Sequence, residues 1–205
     1  MKATCSINIP EYSGEEEFKA ALLKCGIPRL LQGTFSLPEE MKKRFQRLVK
    51  SRNLTIFRES DVRRTVSFFC EDCIKTKVRL RFPLYLKENA YMTDAGEMAM
   101  SRLFLYSSGP ERIVKVLLHE IAHCWLARQT SYTRLLALDK AYVQCSRKTG
   151  WPLSLSPTEL CATVLGCEII LALSSHFDEH VNHTLRIIGK NELEMINAAI
   201  TSLSL

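Results

Sequence analysis

The chain has 205 residues, of which 46% are hydrophobic and 24% charged, with a formal net charge of +6. That length supports one well-packed core, and the charge content is too ordinary for a chain disordered throughout. A mildly basic balance permits nucleic-acid or acidic partners without demanding them.

The N-terminal stretch MKATCSINIPEYSGEEEFKAALLKCG contains early acids and no apolar run of signal-peptide length. The longest apolar run, Leu160 to Leu173, contains Glu168 and is too short for a bilayer. A cytoplasmic location without membrane contact is therefore expected, with the eight cysteines held as reduced thiols.

Taken in chain order, residues 14–25 read as a short helix that is acidic in its first turn and closed by Gly26 and Pro28. In the next helix Ser36 is the cap and Pro38 lies in the first turn. Met41, Phe45, Leu48 and Val49 recur at helical spacing there and leave one strongly basic face. The stretches NLTIFRE, RRTVSFFCE and KVRLRFPLYL follow, rich in β-branched and aromatic residues, and they read as strands joined by antiparallel hairpins. Pro83 puts the third of these at an edge, or breaks it. YMTDAGEM reads as a loop and AMSRLFLYS as a further strand. Three helices are then expected: SSGPERIVKVLLHEIAHCWLARQ, RLLALDKAYVQCSRK and SPTELCATVLGCEIILALSS, with a last one in NELEMINAAITSL. Helices, then strands, then helices imply an α+β fold in one domain over residues 1–205. Within it, 1–35 form a helical extension, 36–109 a helix and a sheet, and 110–205 a helical part.

The chemistry concentrates in VLLHEIAHCWLA, Val116 to Ala127. Residues four apart on a helix point within about 40° of one another, so His119 and His123 can converge on one ion. A histidine pair one turn apart suits two corners of a tetrahedral Zn²⁺ site. Glu120, on the flank of that face, can act as a base toward water that the metal has made acidic. Holding a metal explains why three ionisable groups sit on a helix that is apolar nearly all the way round.

These residues resemble the active-site helix of the HExxH zinc metallopeptidases, the zincins. Uncharged residues surround the two histidines, and hydrophobic Trp125 closes the pattern. Among these peptidases the pattern is closest to the small gluzincin, ImmA/IrrE-like and SprT-like groups. The resemblance implies a zincin-like fold with a small, mostly antiparallel sheet packed on this helix. It also implies a catalytic Zn²⁺, Glu120 as general base, and hydrolysis of protein or peptide substrates.

In gluzincins and ImmA/IrrE-like peptidases a glutamate on a following helix completes the metal site. Glu159, 36 residues after His123, is the matching candidate. Ser156-Pro157-Thr158-Glu159 is equally a good capping box, in which Glu159 would only reach back to the helix start. Gluzincins often carry an aspartate four residues after that glutamate, and this chain has Thr163. SprT-like peptidases use a third histidine, so His176, His180 and His183 are the alternative third ligand, or stabilisers of the transition state.

Cys70 and Cys73 have metal-ligand spacing but form half a site, and thiols near a hairpin turn are expected. Segment 42–82 holds 13 Lys and Arg against four Asp and Glu, a net +9. With Phe57, Phe68, Phe69 and Phe82 interleaved it can serve as a nucleic-acid face, although strand alternation also accounts for the aromatics. The alternative function is thus a metal-containing, non-catalytic regulatory module with a basic surface. No oligomer signal is visible.

Overall fold

The structure is a computed structural model that describes residues 58–128, 132–149 and 156–173, together with Glu39, Glu40 and Lys43, which are helical. The helices expected over 14–25 and in NELEMINAAITSL, and most of NLTIFRE, lie outside the described residues.

The described chain begins with α1, Glu59–Val66, which runs directly into a π-helical segment, Ser67–Cys73. Glu59 and Asp61 lie in the first turn, and Asp61 accepts a hydrogen bond from the Arg58 backbone N–H at 2.9 Å. The strand expected in RRTVSFFCE is therefore a helix. Val62, Val66, Phe69 and Cys70 are the buried apolar positions, spaced four, seven and eight residues from the first. That spacing lines one helical face, and it overrides the β-branched composition that suggested a strand. The π segment ends with Ile74 N–H bonded to the Phe69 carbonyl at 2.9 Å, and Lys75 reverses the chain with φ 61°. Cys70 and Cys73 thus sit on a helical turn and not in a hairpin.

Three short strands follow: β1, Arg79–Arg81, β2, Ala90–Met92, and β3, Glu97–Met100. The sheet order is β1-β3-β2, with β1 parallel to β3 and β2 antiparallel to it. The sheet is mixed, not mostly antiparallel. Segment 82–89 carries β2 past the position of a hairpin partner, and β3 then returns between the two. YMTDAGEM is accordingly a hairpin and not a loop. Its turn closes with Gly96 N–H on the Thr93 carbonyl, at a φ of 78°. A Cβ on Gly96 would stand 2.7 Å from the Lys77 carbonyl oxygen, so glycine is required there for space as well as for φ.

AMSRLFLYS is strand only in its first two residues. Ser101 leaves the sheet and its hydroxyl caps α2, Arg102–Ser107, through Phe104 N–H at 3.3 Å. The next helix, α3, spans Pro110–Leu126 with Gly109 as cap and Pro110 and Glu111 in its first turn. It is followed by α4, Tyr132–Thr149, and α5, Pro157–Leu173.

The middle of the molecule is α3. It packs on β2 and the π segment on one side and lies along α5 on the other, with α4 against α5. Met98 and Met100 on β3 are fully buried with Leu117, Leu118 and Ile121 on α3 and Leu165, Ile169 and Ile170 on α5. Each such side chain contributes about 1.5–3 kcal/mol on leaving water, enough to fix the orientation of α3 within the core. The free thiols Cys70, Cys124, Cys161 and Cys167 are buried, and Cys73 is partly exposed. Among the described residues no helix is long and apolar enough to cross a membrane.

Candidate metal centre

The helical spacing of His119 and His123 brings their Nε2 atoms to 3.1 Å, with the rings edge to face. From α5, Glu159 places Oε2 3.1 Å from His119 Nε2 and Oε1 3.4 Å from His123 Nε2. Two ligands about 2.05 Å from a tetrahedral ion stand about 3.3 Å apart. The three separations match that value, so this triad can hold one metal ion, and the donor atoms all lie within 4.8 Å of one another.

The Glu159 carboxylate meets the imidazoles, and the first turn of α5 has an acceptor from another helix. Asp139 on α4 accepts hydrogen bonds from the Thr158 backbone N–H at 3.0 Å and from the Thr158 hydroxyl at 2.5 Å. This cross-helix cap satisfies one backbone N–H in the first turn of α5, and the Glu159 carboxylate is turned toward the imidazoles. Nothing in the sequence marks Asp139 except that it is the one acid of α4. Its partner becomes visible only once α4 and α5 are packed together.

Thr163, where gluzincins often have aspartate, lies one turn further along α5. Its hydroxyl donates to the Glu159 carbonyl at 2.8 Å and stands 3.3 Å from His119 Nδ1. With its proton committed, the hydroxyl can only accept from Nδ1–H. A neutral His119 that donates Nδ1–H to this hydroxyl turns its Nε2 lone pair to the triad, the arrangement a metal-bound histidine needs.

Glu120 is 7% exposed, on the flank of α3. Burial pushes its carboxyl above the ordinary carboxylate range. His119 and His123 act against that shift, Glu159 adds to it, and a hydrogen bond from the Met92 backbone N–H lowers it slightly. Burial alone would lower His123, but the Glu159 hydrogen bond and charge, then Glu120 and Asp139, raise it above its usual value. Burial alone would raise Glu159, yet hydrogen bonds from His119 and His123 and their charge hold it well below the usual carboxylate range.

All of these groups open onto one cavity of about 740 Å³, walled by β2 and the residues before it, by α3, and by the start of α5. Because Thr93 N–H bonds Glu97 and Ser101 N–H bonds Asn89, alternation turns the amide groups of Ala90 and Met92 to the outer edge of β2. Sequence reasoning did not find Met92 or Asp139. His176, His180 and His183 lie outside the described residues, as does the Glu168 side chain.

No family model matches the chain, and no curated protein or solved structure matches it either. The functional reading therefore rests on the residues and geometry of this cavity.

Proposed function

We propose that this chain is a zinc-dependent metallopeptidase, a single zincin-like cytoplasmic domain that hydrolyses protein or peptide substrates. The observation that carries the reading is the convergence of His119, His123 and Glu159 at ligand separations, with the buried Glu120 carboxylate on the same cavity. Two imidazoles and a carboxylate suit Zn²⁺, and three protein ligands leave the open position that a catalytic site keeps. When bound, zinc supplies a Lewis acid that acidifies water and polarises a carbonyl.

The chain's own residues account for the remaining steps. The edge of β2 offers the Ala90 N–H and the Ala90 and Met92 carbonyls to an extended peptide backbone, so that a scissile bond lies across the triad, while the Met92 N–H holds the Glu120 carboxylate. Glu120 takes the proton of the attacking water and delivers it to the leaving amine. Its raised pKa makes it a stronger base toward that water than an ordinary carboxylate.

The second reading is a metal-containing regulatory module. It draws support from the exposed basic side chains of Arg58, Arg63, Arg64, Lys75, Lys77, Arg79 and Arg81, a surface of the kind that nucleic acid takes. Glu97 partly offsets it by pairing with Arg79 at 3.2 Å and Arg81 at 3.7 Å.

Glu120→Gln separates the two readings. Peptide cleavage should fall about 10²–10⁴-fold while bound zinc stays at the wild-type level. The metal-free fold at neutral pH should be as stable as wild type or more so, since a buried carboxylate with a raised pKa disfavours folding once ionised. Cleavage at the wild-type rate by Glu120→Gln refutes the peptidase mechanism, and a wild type that binds zinc but cleaves nothing favours the regulatory module.

A further inference from the structure

The geometry points to Gly166 as a positioning residue: its missing side chain lets α5 approach the α3 backbone at His119 closely enough for Thr163 to orient that imidazole. This inference deepens the metal-site reading and rests on it. Gly166 lies in the middle of α5, three residues after Thr163 and seven after Glu159, on the face that carries both. A Cβ built there would stand 3.3 Å from both Cα and the backbone nitrogen of His119, and 3.5 Å from the Leu118 carbonyl carbon.

Those neighbours are main-chain atoms in the centre of a buried helix, so no side-chain rotation can make room. Leu117, Leu118, Ile121 and Ala122 are each 1% exposed or less, which leaves α3 little freedom to retreat. Alanine at 166 would therefore part the two helices by a few tenths of an ångström. Thr163 Oγ1 is already 3.3 Å from His119 Nδ1, at the long end of a hydrogen bond. The same small separation takes that contact out of range and frees the His119 ring to turn. Glycine in a helix interior costs stability relative to alanine, so this close approach is kept in spite of helix propensity.

The test compares wild type, Gly166→Ala and Leu165→Ala by chelator-competition titration with zinc, by the visible spectrum of the cobalt-loaded protein, and by melting of the metal-free protein. Leu165 is 1% exposed and serves as a measure of general loosening of α5. Gly166→Ala should weaken zinc binding about 10-fold or more and change the cobalt spectrum, with a metal-free melting temperature close to wild type. Leu165→Ala should melt lower yet keep its zinc affinity within about twofold.

Zinc affinity of Gly166→Ala within about twofold of wild type overturns the inference, and so does an equal loss of affinity in Leu165→Ala. If Gly166→Ala does not fold, a crystal structure of the zinc-loaded wild type decides. Van der Waals contact of Gly166 with the His119 backbone, with Thr163 bonded to Nδ1, supports the inference, and its absence overturns it. A wild type that binds no zinc refutes the metal-site reading itself, a result distinct from either outcome for Gly166.

Discussion

Glu159 could cap its own helix or face the histidines, and in the structure its carboxylate meets two imidazoles. Beside it, Asp139 on another helix takes the Thr158 N–H and hydroxyl. Thr163 orients His119 through a hydroxyl whose proton is committed to the Glu159 carbonyl. Thr163→Val removes both hydrogen bonds while keeping the side-chain shape. It should weaken metal binding about 10- to 100-fold, as a chelator-competition titration would measure, with Glu159 and both histidines intact. An unchanged affinity would mean that His119 needs no such orientation.

The charges at the site also predict how the metal-free protein responds to pH. The Glu159 carboxyl is depressed, so its contribution is present above the ordinary carboxylate value of about 4.3 and is lost as pH falls. His123 is raised, so its contribution is complete below about 6.5 and is lost as pH climbs through the raised value. The buried Glu120 carboxyl, also raised, acts in the same direction as His123. Chelated Glu120→Gln, which isolates the histidine, should therefore melt highest in mildly acidic buffer and lower on either side. A melting temperature that rises steadily from about pH 5 to pH 8 contradicts this pairing.

At the scale of elements, the legible parts of the sequence were segments too long for single strands, two of them with a start signal. The helices α3, α4 and α5 follow from such apolar-rich runs, with Pro110 and Pro157 marking the starts of α3 and α5. The strand block was misread because the composition of RRTVSFFCE favours strand, whereas Val62, Val66, Phe69 and Cys70 need a helical face to reach the core together. Sheet order was not legible at all. Three- and four-residue strands carry too little alternation to set a register, and the parallel β1–β3 pair arises from where segment 82–89 carries the chain. In the site, His119, Glu120 and His123 could be read from spacing on one helix. Glu159 was ambiguous, and Asp139 was invisible because its partner lies on a different helix.

The cross-helix cap makes a prediction of its own. Asp139→Ala leaves the start of α5 without its acceptor and should cost about 1–2 kcal/mol by denaturant unfolding. It should also weaken metal binding, because Glu159 is the next residue along the same first turn. A loss of stability with unchanged metal affinity would show that the first turn holds its place without Asp139.

At the scale of the whole molecule, α3 is enclosed between the sheet and α5, and Lys115, His119, Glu120 and His123 on it line the cavity. Such a core holds the ligands rigidly from two directions, the two histidines from α3 and the glutamate from α5. A metal bound there joins elements 36 residues apart in sequence, so it should raise the melting temperature of the whole domain as well as fill the site.

The central claim is that His119, His123 and Glu159 together hold one divalent ion, and metal analysis of the purified chain tests it most directly. The account predicts one zinc per chain in the wild type, loss of that zinc in His123→Ala with the fold retained, and markedly weaker binding in Glu159→Ala. A wild type that carries no zinc after purification with zinc present, or Glu159→Ala that binds it at full affinity, would contradict it.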